Sequence, residues 1–168
     1  VHVRLAPFAI LRGNYIGTNA AGTAAIGNSY VGVWAESANL TIGGGEIGAR
    51  NVIAGNNNDG IYGSIPDGRV QGNYVGLNAA GNARLANNGQ GEIQVGGNGL
   101  IIGVDGDGVN DEREGNVIVG NGDAITLGDY GVSNFIVAGN VVGLNAAKSA
   151  NLGAGPVRVF YQYGGATV

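Results

Sequence analysis

In the stretch GNYVGLN (72–78), two asparagines, Asn73 and Asn78, bracket a short apolar run with a glycine inside it. The same frame returns as NYIGTN (14–19), NVIAGN (51–56), NVIVGN (116–121) and NVVGLN (140–145), with the second asparagine always five residues after the first. The leading asparagines, at 14, 51, 73, 116 and 140, are separated by 37, 22, 43 and 24 residues. The short steps give the basic unit and the long ones carry insertions. Recurrence at this period marks a repeat architecture, in which one unit buries its apolar face only against its neighbours.

Each unit holds three extended segments. The first is the asparagine-framed run. The second alternates apolar and polar residues, as in VGVWAE (31–36), GIYGS (60–64), GEIQV (91–95), AITLG (124–128) and PVRVFY (156–161), with VHVRL (1–5) as a further match. The third leads into the next asparagine: FAILRG (8–13), NLTIGG (39–44), RVQG (69–72), LIIG (100–103) and FIVAG (135–139). Period-two alternation with β-branched residues reads as strand, and no window sustains a helical period. Three short strands in about 22 residues, stacked turn on turn, make a parallel β-solenoid.

In such a stack, equivalent residues lie above one another about 4.8 Å apart. Asparagine amides can then donate and accept along the column as a ladder. The frame predicts one ladder from Asn14, Asn51, Asn73, Asn116 and Asn140, and a second from Asn19, Asn56, Asn78, Asn121 and Asn145. Ile16, Ile53, Val75, Ile118 and Val142 are expected to point inward between them. The fold expected is all-β: a right-handed parallel β-helix of about five coils, forming a single domain over residues 1–168.

Composition agrees and narrows the function. There are 35 glycines, 44% hydrophobic residues and only 12% charged residues, which excludes a disordered chain. A net charge of −4 with no basic cluster argues against a nucleic-acid partner. No apolar run is long enough to predict a membrane span. Cysteine is absent, so disulfides play no part.

The run GNYIGTNAAGTAAIGN with ARNVIAGNNNDGI resembles the right-handed parallel β-helix repeats of large secreted or surface-anchored bacterial proteins, which share the pectate-lyase-like superfamily fold. That resemblance implies an extracellular or cell-surface setting. It implies no particular activity, because this architecture carries lyases, hydrolases, adhesins and inert stalks alike. It also implies that a lyase of this kind would place clustered acidic calcium ligands and a basic residue on an exposed sheet, and no such set matches here.

The second segments predict an outward face. With Val33, Ile61, Ile93, Ile125 and Val157 inward, one outward column reads His2, Trp34, Tyr62, Gln94, Thr126 and Arg158. The next reads Arg4, Glu36, Ser64, Gly96, Gly128 and Phe160. Aromatic rings beside polar groups suit the faces of sugars, so His2, Arg4, Trp34, Glu36, Tyr62, Arg158 and Phe160 are the candidate ligand-binding residues, with an extracellular glycan as the partner. Catalysis is not expected. Glycoside hydrolysis wants two carboxyl groups roughly 5–9.5 Å apart, and Glu36 and Glu92 are expected two coils apart. His2 is expected to lack an acidic neighbour.

The insertion GVDGDGVNDERE (103–114) has the D-x-D-G spacing of a calcium loop. Taking Gly108 as the sharp-turn glycine puts Asp105, Asp107, Asp111 and Glu114 at carboxylate positions and the Val109 carbonyl between them. Gly103 at the first position cannot coordinate, so the expected Ca²⁺ affinity is weak. No flanking helices are expected. The remaining insertions, 20–29, 79–91 and 146–155, follow the second asparagine in alternate coils and are expected to stack as a flap. Neither end of the chain reads as a cap. That suggests a segment of a longer β-helix or a unit that stacks end to end on itself. The expected function is a non-catalytic β-helix module serving as a rigid stalk, adhesin or fibre element. The alternative is a polysaccharide-binding module, or a lyase or hydrolase fragment, using the Trp34 and Tyr62 face.

Overall fold

The computed structural model describes residues 1–128 and 132–160. The chain winds as a parallel β-solenoid of about five coils around three sheets. The first sheet stacks His2–Arg4, Val33–Glu36, Ile61–Ser64, Gly91–Gly96, Asp123–Leu127 and Val157–Val159. The second stacks Ile10–Leu11, Thr41–Gly43, Arg69–Gln71, Ile101–Gly103 and Ile136–Ala138. The third stacks Tyr15–Ile16, Val52–Ile53, Tyr74–Val75, Val117–Ile118 and Val141–Val142. Every strand pair among them is parallel. Each coil is too thin to bury anything alone, so stability accrues only by stacking.

The interior is a column of β-branched side chains. Val33, Ile61, Ile93 and Ile125 from the first sheet meet Ile42, Val70 and Ile102 from the second and Ile53, Val75 and Ile118 from the third, all fully buried. Val157, in the last described strand, is 45% exposed.

The first asparagine ladder forms as the spacing predicts. Each side-chain Nδ2 donates to the next Oδ1: Asn14 to Asn51 at 3.1 Å, Asn51 to Asn73 at 2.9 Å, Asn73 to Asn116 at 3.0 Å and Asn116 to Asn140 at 2.9 Å. The backbone N–H of each donor residue reaches the same oxygen. The amides also tie sheets together, since Asn73 Nδ2 donates to Ile42 O and Asn116 Nδ2 to Val70 O, each a second-sheet carbonyl of the coil before. Buried amides in a thin solenoid corner need all these partners, because an unsatisfied buried polar group is costly.

The second ladder differs from the expectation. Only Asn56 occupies it. Asn28 Nδ2 donates to Asn56 Oδ1 at 2.7 Å, and Asn56 Nδ2 donates to Asn87 Oδ1 at 2.8 Å. Asn19, Asn78 and Asn145 instead close the bases of hairpin arms, where each Oδ1 accepts the backbone N–H groups four and five residues on. Single antiparallel bridges, Thr18 with Ala25, Leu77 with Arg84 and Leu144 with Asn151, return the chain to the coil. The residues that resume the corner in the first and third coils are therefore Asn28 and Asn87, beyond the arms. Asn121 is exposed and accepts from Arg84 Nη2.

The arms do stack as a flap. Ala79 N donates to Gly22 O at 2.9 Å and Ala146 N to Gly81 O at 2.8 Å, so each arm bridges past an armless coil to the next. Small residues are required here, since a Cβ on Gly22 or Gly81 would collide with Ala79 or Ala146.

Candidate functional site

Parallel register builds the outward face of the first sheet. His2 lies opposite Trp34, Trp34 opposite Tyr62, Tyr62 opposite Gln94, Gln94 opposite Thr126, and Thr126 opposite Arg158. In the neighbouring column Arg4 pairs with Glu36, Glu36 with Ser64, and Ser64 with Gly96. Gly128 continues it towards Phe160, since a Cβ there would meet the Phe160 carbonyl. The face therefore assembles the residues that the alternation places on it.

The geometry within that face is less open than a bare column suggests. The His2 ring stacks on Trp34 with centroids 4.9 Å apart and planes 25° from parallel. Tyr62 meets Trp34 edge-on at 6.4 Å, and Tyr30 leans on it at 5.8 Å. Tyr30 precedes the strand and was not legible as part of the site. Side chains one coil apart stand close enough to stack on each other, so one broad face of the indole is covered by His2. The buried Trp34 Nε1 has no hydrogen-bond partner among the described residues. Because that atom is sealed from solvent, it offers nothing to a ligand approaching the face.

Contrary to the expectation for His2, an acidic neighbour is present. Its Nε2 lies 3.1 Å from Glu36 Oε2, and Arg4 Nε lies 3.7 Å from the same oxygen. Arg4 lies directly opposite Glu36 while His2 is diagonal to it, and diagonal pairs are within reach of long side chains. Glu36 is thus a shared acceptor on a half-exposed surface, where pairs of this kind contribute little to stability. Arg158 pairs with Asp123 at 2.8 Å. Beside Glu36 lies an apolar groove of about 460 Å³, lined by Leu5, Pro7, Ser37, Ala38, Ser64 and Pro66. Glu92 does not reach this face at all. It is buried inside the coil, so the outer surface holds no Glu36–Glu92 carboxyl pair of the sort hydrolysis needs.

The acidic insertion brings three of its residues together. Carboxylate oxygens of Asp105, Asp107 and Asp111 lie within 4.8 Å of one another. Glu114 is not in that group; its Oε2 accepts the Asp105 N–H at 3.1 Å, and burial with neighbouring acids raises its carboxyl above the usual range. Val109 is exposed. Where no helix was expected, one turn forms over Asp111–Glu114, inside the loop rather than flanking it. Asp105 also faces Arg69 Nε at 3.5 Å. The all-oxygen donor set fits a hard cation, with three carboxylates in place and the fourth turned to the backbone.

No family model matches the chain, and neither the curated proteins nor the solved structures hold a match to it. No helix among the described residues is long and apolar enough to cross a membrane.

Proposed function

We propose that the chain is a non-catalytic module of an extracellular or cell-surface β-helix of the bacterial secreted type, with the pectate-lyase-like superfamily as its structural kin. It acts as a rigid stalk, adhesin segment or self-stacking fibre element. The observation that carries this reading is the unbroken register of three parallel sheets, tied at one corner by a continuous amide ladder. An array of that kind resists bending and stretching, because each coil is hydrogen-bonded to the next through all three sheets. The charged groups on the outer face pair with one another: His2 and Arg4 with Glu36, and Arg158 with Asp123. The aromatic rings are likewise occupied by neighbouring rings.

The purified chain is expected to release no unsaturated product from uronic-acid polymers, followed by absorbance. It is also expected to leave a glycan array blank. Electron microscopy should show rigid particles or end-to-end fibres of them. Specific glycan retention abolished by Trp34→Ala or Tyr62→Ala would replace this reading with the polysaccharide-binding one, and product formation would replace it with a lyase.

Calcium belongs to the same proposal as a stabiliser of the acidic insertion. Millimolar Ca²⁺ is expected to raise the melting temperature by a few degrees by relieving repulsion among Asp105, Asp107 and Asp111. The rise should vanish in Asp107→Asn. An unchanged melt would remove calcium from the account.

A further inference from the structure

The second amide column ends in a carboxyl group. Asn87 Nδ2 donates to Glu92 Oε2 at 2.6 Å, directly continuing the series from Asn28 and Asn56. Counting back from the inward strand residues explains why. Asn28 and Asn56 stand five residues before Val33 and Ile61, whereas Asn87 stands six before Ile93 and Asn121 only four before Ile125. The place five before Ile125 belongs to Gly120. It has no side chain, and a Cβ added there would collide with the Glu92 carboxyl. Glu92 fills the space where the fourth asparagine would stand, from the coil below.

The surroundings are those of a neutral group. Glu92 is 2% exposed, and glycines 76 and 120 press against its carboxyl. Two charged side chains face it electrostatically: Arg84, which favours ionisation, and Asp59, which opposes it. Arg84 is turned outward to Asn121 and the Leu152 carbonyl, and Asp59 accepts the Gly91 N–H. No cation pairs with Glu92 directly among the described residues, and an ionised carboxylate left unpaired in such a site is expensive.

We propose that Glu92 serves as the closing rung of the second ladder in its protonated form, and that its ionisation loosens the junction between the third and fourth coils. Burial, partly offset by the Asn87 hydrogen bond, pushes its carboxyl from the usual 4.5 up to about 8. The sign follows from proton counting. Between those two values the folded chain holds a proton that the unfolded chain has released, so stability falls as pH rises through that window and levels off above it.

The test compares the wild-type chain with Glu92→Gln, which keeps an acceptor for Asn87 but cannot ionise. From pH 5 to 8 the wild type is expected to lose about 3 to 5 °C of melting temperature per pH unit relative to the variant. Parallel profiles would overturn the proposal. Infrared titration of the wild type gives a reading that does not depend on the variant folding. A protonated carboxyl band should survive at pH 7 and fall away with its midpoint near pH 8, and its absence at pH 7 would overturn the proposal equally. Failure here leaves the stalk reading untouched, since that rests on the sheets and the first ladder.

Discussion

Asn73→Ala is expected to lower the melting temperature by about 10 °C. Asn73 is the middle rung and fully buried. Its Oδ1 accepts from the Asn51 backbone and side chain, and its Nδ2 donates to Ile42 O, Gln71 O and Asn116 Oδ1. Alanine keeps only the backbone bonds, its own N–H to Asn116 Oδ1 and the Val117 N–H to its carbonyl. It strands two buried donors on Asn51, at about 1–3 kcal/mol for each group that water cannot reach, and takes one donor from Ile42 O and from Gln71 O, the latter keeping the Gly44 N–H. A sum of about 3–6 kcal/mol, at 2–4 °C per kcal/mol for a chain of this size, spans about 6–24 °C and brackets that shift. Asn14→Ala at the outermost rung is the control, because its side chain serves as a donor to Arg12 O and Asn51 but to no coil before it. Comparable melts for the two variants would mean that the ladder is ornament rather than support.

The second large effect is expected from Gly76→Ala. Gly76 sits at φ 76°, in the left-handed region, and a Cβ there would strike the Val119 carbonyl of the next coil. The contact cannot be relieved locally. Gly76 N donates to Ile53 O below while Val119 N donates to Val75 O above, so the residue is clamped between two coils at sheet spacing. The backbone preference contributes about 1 kcal/mol, and overpacking adds about 1–3 kcal/mol more. A fall of roughly 5–15 °C follows. Gly48→Ala separates the two causes, since Gly48 has a similar φ of 84° with nothing within 4 Å of an added Cβ. It should show the conformational penalty alone. Equal losses at both positions would show that coil spacing yields more readily than the register implies.

The architecture was legible in the residues because stacking makes spacing visible. The same frame, with a second asparagine five residues on, recurs at Asn14, Asn51, Asn73, Asn116 and Asn140 despite unequal steps, which marks those positions as superimposed. Alternation in the second segments then placed Trp34 over Tyr62 and Glu36 over Ser64. The second ladder was misread for an equally physical reason. Counting forward from the first asparagine takes no notice of a hairpin that leaves the coil and returns, so Asn19, Asn78 and Asn145 took the place of Asn28 and Asn87. Counting backward from Val33, Ile61 and Ile93 finds Asn28, Asn56 and, one residue out, Asn87. Glu92 was hidden because alternation fails where a strand enters from a corner. Neighbour to inward Ile93, it should face outward, yet it turns into the gap left by Gly120. The ring stacking of His2, Trp34 and Tyr62 and the proximity of His2 to Glu36 depend on rotamers, which column membership does not specify. Sheet register carries a residue to a face; it does not say which way the ring will lie.

The arms have a consequence for how such a chain can grow or shrink. They touch only across an intervening bare turn, Gly22 to Ala79 and Gly81 to Ala146. Removing a single turn would bring two arms onto adjacent levels or leave one without its mate, while removing two preserves every contact. The natural quantum of length is therefore a pair of turns, as in the 59 residues from Asn14 to Asn73 and the 67 from Asn73 to Asn140. Lengthening the rod by duplication should succeed with that doublet and fail with either half of it.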